Sequence, residues 1–152
     1  MDLKSKIGTK SRVLKNRLSA LDMVDFALCV RSPMAKKPSK DSSIAPSMFT
    51  IFRNGEFEIM DAIGVQLKQV LHAEQEYEFF KPILPDQEVE YQAELTSVLE
   101  KKGKDYRMSF LVCETKLTIV EDHSIAGICK STIVYREKTT DQASPPSEGA
   151  KS

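Results

Sequence analysis

The sequence predicts an α+β domain in which a curved antiparallel β-sheet wraps one long central apolar helix, and three stretches carry that reading. Ala20–Val30 is apolar in nearly every direction about a helical axis. Val70–Glu90 strings two alternating segments across a Lys-Pro corner, and Val89–Tyr135 continues as a meander of three strand-like runs. A helix that is apolar all round has to be enclosed, and an antiparallel sheet with one apolar face supplies the enclosure.

At 152 residues the chain has room for one domain around a single core. Lys+Arg and Asp+Glu number 22 each, so the formal net charge is zero, and no basic stripe with interleaved aromatics is present. Nucleic acid is therefore excluded as an expected partner. No apolar run approaches the roughly 18 residues of a membrane span, and MDLKSKIGTK has no apolar region behind its lysines. The expectation is a cytoplasmic protein with no membrane contact. Cys29, Cys113 and Cys129 are odd in number, far apart and set in apolar segments, which reads as three buried free thiols. No metal site and no cofactor is expected, since two histidines without His-Glu-x-x-His or paired cysteines do not make a ligand set.

Residues 1–10 are polar and charged and are expected to be flexible. Ser19 is a natural N-cap with Asp22 three positions later, and Pro33 limits continuation, which frames a helix over Ala20–Val30. Polar Arg31–Ser43 reads as a surface loop. Pro46 or Ser47 can open a short helical turn through MFTIFR, which Asn54-Gly55 is expected to break. From Phe57 to Leu71 apolar residues recur at helical spacing around Gly64, giving a helical connector.

Val70 begins the stretch about which the chain is organised. Between Ala73 and Phe79 the residues Ala73, Gln75, Tyr77 and Phe79 share one face and Glu74, Glu76 and Glu78 the other, a strand with one wet side. Pro82 and Pro85 cannot donate to a ladder, so pairing stops there. Strands follow over Val89–Leu99, Tyr106–Val120 and Ile125–Tyr135, separated by turns at Lys101–Asp105 and Glu121–Ser124. The segment 138–152 has no large apolar residue and is expected to be disordered.

Taken together, ALDMVDFALCV, IAPSMF, LHAEQEYEFFKP with its following Pro-Asp, EKKGKDYRM and KSTIV resemble the N-terminal half of MaoC-like dehydratases, a hot-dog fold family. The resemblance spans residues 11–137. It implies a single hot-dog domain that pairs with a second hot dog into one continuous sheet, and it implies (R)-specific enoyl-thioester hydration or 3-hydroxyacyl-thioester dehydration. In two-part members one hot dog carries the catalytic groups, and the other, which this chain resembles, forms the acyl tunnel. The implied partners are an acyl-CoA or acyl-carrier-protein thioester and a catalytic MaoC-like subunit, or a second copy in a homodimer.

Hydration needs a base for water, an acid for the α-carbon and donors for the thioester oxyanion. The resemblance places an Asp, with a His five residues on, in the loop after the central helix, here Ala20–Val30. Here that loop, Arg31–Ser43, holds Asp41 and no histidine. No catalytic residue is therefore assigned, with Asp41 and His72 the weak candidates. His72 is otherwise read as a structural or interface hydrogen-bonding group. Ile44, Ala45, Pro46, Met48 and Phe49 are expected to line the acyl tunnel or its mouth, the alternative being plain core. Tyr77 and Phe79 are read either as tunnel lining or as packing of sheet on helix. A hot-dog thioesterase would need a carboxylate at the tunnel, for which Asp25, Asp41 and Glu56 are available.

Overall fold

The computed structural model describes residues 2–33 and 51–138. Five antiparallel strands form one sheet in the order β1-β3-β4-β5-β2, with β1 at Leu14–Arg17, β2 at Val70–Phe79, β3 at Glu88–Lys102, β4 at Tyr106–Ile119 and β5 at Ile125–Lys138. The meander β3–β5 falls where two-residue alternation predicts it. Along β4, Leu111, Cys113, Leu117 and Ile119 are all fully buried on one face. β2 returns to the far side of β5, so the organising stretch is indeed an edge strand. Between Phe79 and Glu88 no strand forms, as Pro82 and Pro85 require.

The α+β layering is present, but the helix on the sheet is not the expected one, and neither of the two α-helices among the described residues is long. α1 spans Ala20–Cys29 behind a complete capping box of Ser19 and Asp22. Only Ala27 in it is buried, while Leu21, Leu28 and Val30 stand 56–66% exposed, and Asp25 is exposed as well. The enclosed helix is α2, Asn54–Ala62, which packs on β3 and β4. Gly55, Glu56, Ile59 and Met60 form its buried face at helical spacing. Asn54-Gly55 therefore opens a helix instead of breaking one. A Cβ on Gly55 would stand 2.7 Å from Ser11 Oγ and 3.0 Å from Ala93 Cβ, so glycine is there for close approach to the sheet. Gly64, with φ +76°, lies just past α2, and the expected connector to Leu71 is cut short by β2.

Residues 2–10, expected to be flexible, are held against the sheet. Leu3 is fully buried with Ile59, Met60, Ile63 and Leu95, behind a short 3-10 turn at Lys4–Lys6. Gly8 N–H donates to Leu95 C=O, Leu95 N–H to Thr9 C=O and Ser11 N–H to Ala93 C=O, so this segment extends the sheet edge leading to β1. One buried leucine in a lysine-rich decamer is below what composition reveals. Cys29 is likewise exposed instead of buried, because its helix lies at the periphery. Of the expected disordered tail, Lys138 is the last residue of β5 and 139–152 lie outside the described residues. Replacing Leu3 with Ala should lower unfolding free energy by about 2–4 kcal/mol in urea denaturation, where a loose terminus would give a change near zero.

Candidate functional site

A hydrogen-bonded chain of polar side chains runs from the buried face of α2 to the exposed edge of the sheet. Glu56 is fully buried in the first turn of α2. Its Oε2 accepts from Arg53 Nε at 3.0 Å and Nη2 at 2.8 Å. Its Oε1 lies 2.5 Å from Ser131 Oγ, itself fully buried on β5. Ser131 Oγ also lies 2.7 Å from Gln75 Oε1 on β2. With one proton the hydroxyl donates to one of these two oxygens at a time. His72 Nε2 stands 3.2 Å from the same Gln75 oxygen.

The two ends of this chain are held by different devices. Arg53 and Glu56 are three residues apart across the start of α2, a spacing that lets a guanidinium reach back to a carboxylate. Their partnership offsets desolvation of both charges, since Arg53 is only 17% exposed. At the other end, pairing shifts between His72↔Ile133 and Glu74↔Thr132, leaving Ala73 as the extra residue of a bulge. Residues 72 and 75 would face opposite sides of a regular strand; the bulge brings them together. Alternation alone does not register such a bulge, so the sequence assigned Ala73 to the inner face, whereas it is exposed.

Of the residues nominated from sequence, Asp41, Ile44, Ala45, Pro46, Met48 and Phe49 lie outside the described residues. Tyr77 is half-buried against the cluster containing Phe52, Tyr91 and Cys129, and burial raises its hydroxyl pKa. Phe79 stacks on Tyr77 at 6.0 Å between centroids but is 45% exposed. The pair is thus one packed ring and one presented ring. Glu56 was visible in the sequence only as an available carboxylate; its burial follows from α2, which the Asn-Gly pair concealed.

Beside this cluster, burial pushes the Cys113 and Cys129 thiols up to about 12, with the charge of Glu56 acting in the same direction and Arg53 against it. Both are structural thiols, unlike exposed Cys29. Among the described residues no cluster of His, Cys, Asp and Glu fits a metal ion, and no helix is long and apolar enough to cross a membrane.

The sequence pattern of the family described as FAS1-like, dehydratase domain region, matches residues 6–127. No curated protein matches the chain in sequence. Among solved structures, the C-terminally truncated HadBC (3R-hydroxyacyl-ACP dehydratase) complex from Mycobacterium tuberculosis superposes with TM-score 0.70 at 15% identity, over 85% of this chain and 96% of that one. The ChsH1–ChsH2 complex from the same organism gives TM-score 0.62 at 14% identity, over 96% and 93%. The (R)-hydratase from A. caviae involved in PHA biosynthesis gives 0.57 at 13% identity, over 84% and 94%. A hot-dog-like protein from Thermanaerovibrio acidaminovorans shares the architecture too, with TM-score 0.58. These likenesses establish the fold.

Arg53→Met should destabilise the protein by about 3–5 kcal/mol in denaturant melts, because it strands a buried carboxylate. Adding Glu56→Leu to that variant should recover most of the loss. A thiol reagent at pH 8 should modify Cys29 in the native protein and all three cysteines after unfolding. Stability should fall as pH rises from about 9 toward 12, since Cys113 and Cys129 ionise first in the unfolded chain.

Proposed function

The chain belongs to the FAS1-like dehydratase domain region family, and from that premise we propose that it is the non-catalytic, acyl-chain-binding subunit of a hetero-oligomeric (R)-specific enoyl-thioester hydratase or 3-hydroxyacyl-thioester dehydratase of fatty-acid metabolism. One observation carries the non-catalytic assignment: neither His72 nor His123 has an aspartate five residues before it, the positions being Leu67 and Thr118. The acid and base that hydration requires are therefore assigned to a partner hot dog.

Glu56 does not substitute for them. It is fully buried, with both oxygens engaged by Arg53 and Ser131, so a bound thioester has no route to it without breaking an ion pair. This also argues against the thioesterase reading. What the chain offers a partner is an edge: among the described residues β2 is hydrogen-bonded only on its β5 side, and Leu67 and Leu71 stand more than half exposed beside it. An unpaired edge flanked by exposed apolar residues suits strand addition. Two of the similar structures are complexes of two differently named chains, which favours a heteromer. Ile44, Ala45, Pro46, Met48 and Phe49 are proposed to line the acyl tunnel, with Tyr77 and Phe79 presenting aromatic surface near the free edge.

The test is reconstitution. The purified chain should not hydrate crotonyl-CoA, and activity should appear on co-expression with a hot-dog subunit carrying the Asp/His loop. Native mass measurement should show the two-chain species. A stable homodimer that ignores such a subunit would favour an acyl-thioester binding module without turnover, and robust hydration by the lone chain that survives Asp41→Asn would overturn the assignment.

A further inference from the structure

The bulge in β2 does more than bend an edge strand, because it fixes which nitrogen of His72 is free. Gln75 Nε2 donates to the Lys130 carbonyl at 3.1 Å and faces the Glu76 carbonyl at 3.4 Å, which orients the amide. Its oxygen is thereby turned toward Ser131 Oγ and His72 Nε2. An amide oxygen only accepts, so Nε2 carries the proton, and in the neutral ring the lone pair is left on Nδ1. Among the described residues Nδ1 has no partner. The ring is exposed, and among the described residues the outer edge of its strand is unpaired.

Behind this one acceptor stands a costly support. Ser131 and Glu56 are fully buried and Arg53 is largely so, and a buried ion pair of this kind is weak evidence for stability. A support that holds a ring in one tautomer at an accessible edge is of use when the free nitrogen has something to bind. The donors that acyl thioesters of coenzyme A and of a carrier protein share lie on the pantetheine arm, whose amides carry N–H groups; an enoyl chain and its thioester offer none, and the hydroxyl of a 3-hydroxyacyl chain belongs to the reacting carbons, whose acid and base are assigned to the partner.

We infer that His72 is a substrate-positioning residue that accepts, at Nδ1, a hydrogen bond from an amide N–H of the pantetheine arm. This rests on the acyl-thioester reading given above and adds to it a specificity determinant contributed by the non-catalytic chain.

The reconstituted pair tests it with two substrates, crotonyl-CoA and the amide-free S-butyl thiocrotonate. His72→Phe should raise KM for crotonyl-CoA about tenfold, the worth of one net hydrogen bond, with kcat within about twofold. The same variant should leave kcat/KM for S-butyl thiocrotonate unchanged. His72→Asn, which places an acceptor near the position of Nδ1, should restore most of the loss, and Gln75→Leu should give an intermediate KM. Equal effects on both substrates, or no effect on either, would overturn the inference. Should no partner subunit confer activity, nitrogen-resolved NMR of the imidazole decides the matter on the full chain alone. A shift of His72 Nδ1 on adding crotonyl-CoA, absent with S-butyl thiocrotonate, supports the contact even though the subunit assignment has failed; no shift at millimolar crotonyl-CoA rejects it.

Discussion

Burial of the Glu56 carboxylate constrains the rest of the structure. A fully buried charge has to be paired and hydrogen-bonded, and the partners of Glu56 come from two places, Arg53 at the start of α2 and Ser131 in the middle of β5. That requirement fixes how far along the sheet α2 lies. Ile59 and Met60, one turn further on, then reach the cluster with Leu95, Leu111 and Ile133, while Phe52 just before the helix meets Tyr91 edge-on at 5.3 Å in the second cluster. The close approach at Gly55 follows from the same placement, because the helix start is pulled down onto Ala93 and Ser11.

Strands were legible in the sequence where their inner and outer faces differ in polarity. β4 and β5 alternate over most of their length, and their bounds differ from expectation by only a few residues. β1 escaped notice because it has four residues with one apolar side chain, Leu14, and is held by pairing to β3 that no local pattern encodes. The helices were harder for a physical reason. α1 has the better local signals, a capping box and an apolar run, yet those features govern whether a helix forms and not what covers it. α2 has Asn-Gly at its start and two buried groups, a glycine and a glutamate, that composition would assign to a surface turn. Its identity as the enclosed helix is settled by the sheet.

The candidate site shows the same division. His72, Gln75 and Glu56 are separated by up to 19 positions and share no motif spacing, so only the pairing of β2 with β5 reveals that they form one chain through Ser131. The decisive local feature, the bulge at Ala73, changes the count of residues per face by one. A two-residue period read across it assigns His72 to the wrong side.

The polarity of this cluster is also an argument about what β2 is for. An edge strand that only needed to pair with β5 would be served by apolar residues at 75 and 131, since apolar packing of equal volume is as stabilising as a buried ionic network or more so. The chain instead threads a serine, an amide and a carboxylate inward from the edge and anchors them with Arg53, while the outward row of Glu74, Glu76 and Glu78 stays in water. Polar support on the inner side and solvated charge on the outer side leave a strand whose outer edge and whose His72 are both held in defined positions. For the subunit role proposed above, that arrangement suits a surface completed by another chain, at which a ligand is gripped from two sides.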